Sequence, residues 1–335
     1  MVRESRGMRR IVSVLQGRDR AGARRHRRTI RRVRLTGSRR APSCWRYRAR
    51  VTIASASGRP GDITSADSRW LAWHEACAHA LAGREVRLLG DAVLLHDHVD
   101  RDPFWNRVAG IAWPDDPAAF DRRVAEIIAL FGGLDRIPHV WPCPGYDEPP
   151  DLVARLIAHG FEDMGSGQFM VLDRDLRPRE ATSRGIADRN DVEIAHLELP
   201  ADPAEVSRDV ALVLVESFGV EPERRRAVER EQEILFGRDE VHVCLVRVGG
   251  EPAAVVRRST FAGGTYLSSI GTRPAFRGMG LGSLVTDLAV DEGIEAGCTW
   301  IYLGVFADNR AAIRMYERLG FVVVGGPAPD LLLRP

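Results

Sequence analysis

The chain has 335 residues, 44% of them hydrophobic and 28% charged, the make-up of a globular protein with room for more than one core. A formal net charge of +2 conceals an uneven distribution: residues 1–50 hold 18 arginines against Glu4 and Asp19, leaving 30 arginines against 44 acids in the remainder. No lysine occurs, which excludes a Walker lysine, a Schiff-base lysine and autoacetylation of a lysine side chain, and no apolar run is long enough to span a bilayer.

Residues 1–65 form an Arg-rich leader containing "ARRHRRTIRRVRL" (23–35). Such a run suits nucleic-acid phosphates, a targeting peptide, or a leader with no fixed fold and no role. We favour the last. Only Trp45 and Tyr47 could stack on bases, and the Arg9–Arg10 pair precedes just "IVSVL" before Gln16, too short for an export signal. Cys44, Cys77, Cys143, Cys244 and Cys298 are scattered, odd in number and form no C-x-x-C pair. That pattern points to a reducing, cytoplasmic setting without a disulfide framework or a zinc site.

Residues 66–175 read as a first domain. Its helix-like start "SRWLAWHEACAHALAG" is followed by a strand "DAVLLHDHV", a helix "PAAFDRRVAEIIALFGG", a short strand "IPHVW" and a helix ending in "LVARLIAHGFEDM". "HEACAHA" superficially suggests a zinc hydrolase. However, His74 and His79 are five apart and do not share the helix face that H-E-x-x-H requires. His96, Asp97, His98 and Asp100 could ligate a metal, but strand alternation separates neighbours, and we read a solvated turn there. No metal is assigned. Polar, turn-rich residues 176–191 form a linker.

Residues 192–335 then run strand "EIAHLEL", helix "PAEVSRDVALVLVESFG", helix "PERRRAVEREQEILFG", and strands "VHVCLVRV", "EPAAVVRRS" and "TYLSSIGT". After a glycine turn come helix "SLVTDLAVDEGIEAG", strand "TWIYLGVF", helix "NRAAIRMYERLG", and strands "FVVVG" and "DLLL". Both halves close on a helix, then His159-Gly160-Phe161 or Leu319-Gly320-Phe321, then a strand. This reads as a degenerate internal repeat. Where the second half has its glycine turn, the first has "NRVAGIAWPDDP".

The glycine turn "AFRGMGLGSLV" (275–285) is the most informative stretch. Glycine-rich backbone opening a helix is a ready anion site, since unpaired N–H groups and the helix dipole point the same way. The dinucleotide fingerprint fails at Ser283, and the phosphate loop fails for want of lysine. What remains is Arg277-x-x-Gly280-x-Gly282 before a helix whose Leu281, Leu284, Val285 and Leu288 keep helical spacing.

"TRPAFRGMGLGSLV" with "NRAAIRMYERLGF" resembles the two signature motifs of the GNAT superfamily of acyl-CoA-dependent N-acyltransferases, [QR]-x-x-G-x-[GA] and Asn-x-x-Ala-x-x-x-Tyr. The resemblance covers residues 193–335 and implies an α/β fold. It would comprise two GNAT-like domains, each a mixed, mostly antiparallel sheet flanked by helices, with the first copy having lost cofactor binding. It further implies that amides of Gly278, Met279, Gly280, Leu281, Gly282 and Ser283 hold the pyrophosphate of acetyl-CoA, with Arg277 at the rim. Ile270, Gly271 and Thr272 would pair with the pantetheine arm, Asn309 would bond to it, and Tyr316 would protonate the departing thiolate. From the residues alone, Asn309 is also a helix N-cap, and Tyr316 lies on the apolar stripe of Ala312, Met315 and Leu319.

The activity implied is acetyl transfer from acetyl-CoA to a primary amine, either a small molecule or a peptide or protein N-terminus, by direct attack in a ternary complex. The alternative is a non-catalytic acyl-CoA-binding regulatory module. The strands that often carry a carboxylate base in this family offer Ser268 and Ser269 instead, so the base stays unassigned, with Glu216 or a water relay as candidates. The first domain would wall the substrate cleft or mimic a dimer interface, in a tandem monomer or a homodimer. No membrane or nucleic-acid partner is implied.

Overall fold

The structure is a computed structural model that describes residues 58–178, 183–197 and 202–334, so the readings of the basic head fall outside the described residues. In the first half, α1 (Ser65–Ala80) is followed by β1 (Glu85–Leu88), β2 (Val93–His96) and β3 (Arg107–Ala109). Then come α2 (Pro117–Gly133), β4 (His139–Trp141), α3 (Leu152–Ala158) and β5 (Glu162–Leu172). After a short α4 (Arg184–Ala187), the second half runs β6 (Val192–Leu197), α5 (Pro203–Phe218), α6 (Arg225–Leu235), β7 (Val241–Val248), β8 (Glu251–Phe261) and β9 (Gly264–Thr272). It closes with α7 (Leu281–Glu295), β10 (Trp300–Phe306), α8 (Arg310–Arg318) and β11 (Phe321–Leu332).

The local chemistry explains most boundaries. Thr64 and Asp67 form a reciprocal capping box on α1; Asp116 followed by Pro117 opens α2, and Asp202 followed by Pro203 opens α5. Several details differ from the sequence reading. β1 and β3 are additional strands, α4 is a short helix within the expected linker, and α3 stops at Ala158 because Gly160 turns the chain with φ of 88° into β5. The two expected C-terminal strands are one, β11, whose register shifts between Val324 and Ala328 and again between Pro329 and Leu331 absorb its glycine and proline residues.

All eleven strands join in one sheet, in the order β1-β2-β3-β4-β11-β5-β10-β9-β8-β7-β6. The two halves exchange their last strands across its middle. β5, from the first half, lies antiparallel between β10 and β11, while β11, from the second half, pairs with β4. Each half also contains one parallel pair, β3 with β4 and β9 with β10.

Three apolar cores follow from this sheet. One joins the halves: Trp70, Trp73 and Leu81 of and after α1 pack with Val210, Leu235, Tyr266, Trp300 and Tyr302. Gly264 is required there, because a Cβ on it would stand 2.4 Å from the Trp70 ring. The opposite face of the second half is covered by α7 and α8, with Leu281, Leu284, Val285, Ile313 and Tyr316 against Leu267, Ile301 and Leu303. The third core packs α2 and α3 of the first half around Val108, Val140 and Leu331. The segment between halves is tied to α7, since Arg177 and Ser183 both donate to the Asp287 carboxylate at 2.7 Å.

Candidate functional site

The glycine turn lies between β9 and α7. Gly278 (φ 81°) and Gly280 (φ 78°) both occupy the left-handed region, and Gly280 is the N-cap of α7. Side-chain oxygens cap α1, α2, α5 and α8, but none caps α7. Within the described residues, no backbone amide from Gly278 to Ser283 donates a hydrogen bond, and the helix ladder begins with Leu284 N on Gly280 O at 3.1 Å. Two turns of polypeptide thus present their N–H groups outward at a positive helix end. Met279 and Ser283 are half-buried beside the turn, while Leu281 anchors it in the core. Exposed Arg277 reaches Thr272 O (3.3 Å) and Ser217 O (3.1 Å), placing its charge at the rim. Ile186 of α4 packs onto Gly280, and Met315 of α8 lies over Gly282.

A cleft opens from this turn into the sheet. The parallel pairing of β9 with β10 runs from Gly264/Trp300 to Leu267/Leu303 and then stops. Ser269, at φ 53°, marks the bulge where β9 changes register against β8. Beyond it, Gly271 and Thr272 pair with Val255 and Ala254 of β8, and the side of β9 toward β10 is left open. Ile270 is half-buried against the α7/α8 core. The structure therefore brings the turn, the open edge of Ile270–Thr272 and α8 to one place.

Tyr316 stands on α8, 5% exposed, with its ring 6.0 Å from that of Phe321. Burial pushes its phenol well above the usual tyrosine range, so it stays protonated, and it makes no hydrogen bond within the described residues. Asn309 is the N-cap of α8 and accepts from Ala312 N at 3.2 Å, leaving its side-chain NH₂ unspoken for. Both structural roles anticipated from sequence are realised, and neither occupies the hydrogen-bonding group that ligand recognition would use.

The opposite face of the cleft is built by both halves. The Tyr266 hydroxyl lies 3.7 Å from a Cβ position on Gly304, at the point where β9 and β10 separate. Around it, Arg107 sits between the rings of Phe104 and Trp141, at 4.4 Å from each, and donates to Glu75 at 2.6 Å. Arg84 stacks 3.5 Å over Trp105 and shares Glu231 with Arg257, which also donates to Ser268 Oγ at 3.0 Å. Burial opposes the Glu231 charge, but the two arginines outweigh it and hold the carboxyl down at about 2. Glu216, a candidate base from sequence, is paired with Arg273 at 2.8 Å. Of this polar wall only Glu216 and Ser268 were singled out from sequence, although the i,i+4 spacing of Glu75 and His79 and the shared strand face of Tyr266 and Ser268 were readable signals.

The corresponding place in the first half is closed. Asp116 caps α2 and Pro117 removes an N–H, while Arg155 covers Asp115 at 2.6 Å. Where β3 and β4 part, the chain fills its own gap: Glu148 N donates to Ile111 O and Trp113 N to Glu148 O, each at 3.0 Å. Asp147 takes the amides of Ile111 and Cys143, and its burial pushes the carboxyl up to about 7. The two histidine clusters weighed and set aside as metal sites are also placed. His74 is buried between Tyr302 Oη and Phe261 O, and His96 is buried in β2 against Asn106 rather than in a solvated turn. Among the described residues, no cluster able to hold a metal occurs, and no helix is long and apolar enough to cross a membrane.

The acetyltransferase (GNAT) family profile matches residues 208–321, which contain the turn, the open edge, Asn309 and Tyr316. Residues 208–321 therefore resemble a GNAT acetyltransferase domain. Over 105 residues the chain is 33% identical to the mycothiol acetyltransferase of Nocardiopsis dassonvillei, covering 29% of this chain and 32% of that protein. It is 33% identical over 63 residues to the thialysine N-epsilon-acetyltransferase of Sus scrofa, or 18% of this chain and 37% of the relative. The match thus spans about a third of the length of either relative. The likeness of fold extends over both halves. A GCN5-related N-acetyltransferase from Kribbella flavida superposes with a TM-score of 0.59 over 80% of this chain and 96% of its own, at 21% identity. A tandem GNAT protein from the clavulanic acid biosynthesis pathway does so with 0.53, 15% identity, and coverage of 82% and 98%.

Proposed function

We propose that the chain transfers an acetyl group from acetyl-CoA to a primary amine, using one site in its second half. The observation that carries this reading is the alignment of three features along one cleft: the uncapped amides of 278–283, the open edge of Ile270–Thr272, and the protonated Tyr316. The amides and the Arg277 charge suit a pyrophosphate, and the open strand edge suits the amide-bearing pantetheine arm. Asn309 can donate its free NH₂ to the same arm. Amides of the Ser269–Gly271 edge orient the thioester carbonyl and stabilise the charge that develops on its oxygen. Tyr316, on the α8 side, donates its proton to the departing sulfur. The amine approaches from the other face, between Tyr266, Ser268 and the wall that the first half supplies.

We read the first half as a GNAT-like copy that binds no acyl-CoA, because Asp116, Pro117 and the 143–148 segment occupy the groups a cofactor would need. On this reading, acceptor recognition belongs to the shared wall, and mycothiol precursors, other small polar amines and peptide N-termini are the acceptors to compare. Incubation with acetyl-CoA and an amine panel, followed by mass spectrometry and thiol titration, tests the proposal. An N-acetyl product with one free CoA per product supports it. Tight acetyl-CoA binding without amine-dependent thiol release would instead mark a regulatory binding module.

A further inference from the structure

The reaction needs a group that takes the proton of the attacking amine, and the strands of the GNAT domain carry no carboxylate beside the cleft. Tyr316, α7 and the glycine turn occupy one face, so the amine and the group that deprotonates it belong on the other. The titratable groups on that other face can be compared one by one. His74 accepts from Tyr302 Oη at Nδ1 (2.8 Å) and donates from Nε2 to Phe261 O (3.0 Å); burial drives it down to about 3, so both nitrogens are occupied. Glu231 is held by Arg84 and Arg257, Glu75 by Arg107 and His79, and Glu216 by Arg273. Ser268 already accepts from Arg257.

His79 differs from all of these. It is 3% exposed, and its Nε2 donates to Glu75 Oε1 at 3.1 Å, which fixes the tautomer with the lone pair on Nδ1. Nδ1 is fully buried and has no hydrogen-bond partner. The ring lies edge-on to Tyr266, with centroids 5.5 Å apart, and Tyr266 is the side chain whose hydroxyl reaches Gly304 at the mouth of the cleft. The remaining neighbours are the rings of Phe104 and Trp105. The charged groups that face it are Glu75 on its own helix, Arg107 from β3 and Arg84 from the turn after α1; burial and the two arginines keep it neutral, against the pull of Glu75. A carboxylate, a histidine of fixed tautomer and a free lone pair make the orienter-and-base pair of general-base catalysis.

We propose that His79, oriented by Glu75, accepts the proton of the acceptor amine, so that the first half completes the active site of the second. This rests on the transferase reading given above. As the amine nitrogen bonds to the thioester carbonyl carbon, its proton passes to His79 Nδ1. The C–S bond then breaks, the sulfur takes the Tyr316 proton, and the imidazolium and phenolate re-equilibrate with solvent. The partner that the first half has kept is thus a base rather than a second cofactor.

The test compares full-length wild type with His79→Gln and His79→Ala, using acetyl-CoA and a panel of glucosamine, S-aminoethylcysteine and a dipeptide. Folding is checked by a cooperative thermal melt, at a temperature a few degrees below wild type, and by acetyl-CoA affinity, which is expected to match wild type. The variants should lose about 100-fold or more in kcat with KM for acetyl-CoA unchanged. They should also lose the acid limb of the kcat–pH profile, which in wild type lies below the ordinary histidine range, and added imidazole should partly restore His79→Ala. Wild-type turnover with an unaltered rate and pH profile in His79→Gln overturns this assignment alone. Acetyl-CoA binding without turnover of any amine by wild type overturns the transferase reading, and this assignment with it.

Discussion

Replacing Gly280 by Asp and, separately, by Asn tests the anion site by charge alone. The two side chains have nearly the same size, and both are among the residues that tolerate the left-handed backbone that φ of 78° demands, so the conformational cost of about 1 kcal/mol is common to both. Both also push on the same neighbour, the Ile186 Cδ1 that stands 2.4 Å from the Cβ position; this is the end of a flexible side chain and can move. What differs is one negative charge at the N-cap of α7. At a separation of about 5 Å, repulsion from one pyrophosphate charge is worth about 1 kcal/mol in water and about 3 kcal/mol at an effective dielectric of 20. Calorimetric titration with CoA should therefore show Gly280→Asp binding about 5- to 200-fold more weakly than Gly280→Asn. The difference should shrink at high salt. Equal affinity of the two variants would show that no phosphate lies near Gly280.

Tyr316→Phe removes only a hydroxyl from a site 5% exposed, so stopped assays should show kcat down about 100-fold with CoA affinity unchanged, and equal rates would remove Tyr316 as the proton donor. Glu75 and Glu231 have folded-state values depressed from 4.5 to about 2, so the stability they contribute is complete above about pH 4.5 and fades as pH falls toward 2. At about 3 kcal/mol each, chemical denaturation at stepped pH should show a steep loss in that window, and Glu75→Gln should flatten it while lowering stability throughout. A fragment starting at residue 192 lacks β5, which separates β10 from β11, and so exposes two strand edges. It should be insoluble alone and recover when co-expressed with the first half; a soluble fragment with a cooperative melt would contradict the strand exchange.

The sequence was most legible where backbone chemistry is local. Gly278, Gly280 and Gly282, the Asn309 cap and the helical stripe through Tyr316 all declare themselves within a few residues, and the structure gathers them in one cleft. The joined sheet was not readable, because β5 has the same alternation whether it pairs within its own half or between β10 and β11. Nor was the polar wall readable: Glu75, His79, Arg107, Glu231 and Arg257 come from α1, β3, α6 and β8, and only the packing of α1 onto β9 brings them together. His79 looked like an ordinary helical residue because its spacing from His74 fits no metal motif, while its actual partner, Glu75, lay one helical turn away.

The central claim is that one acyl-CoA site exists, in the second half, at the separation of β9 and β10. A crystal structure of the protein with acetyl-CoA tests it most directly. One molecule should be bound per chain, with its pyrophosphate on the amides of 278–283, its pantetheine along Ile270–Thr272, and its sulfur beside Tyr316. Acetyl-CoA seated between β3 and β4, or anywhere away from the glycine turn, would contradict it.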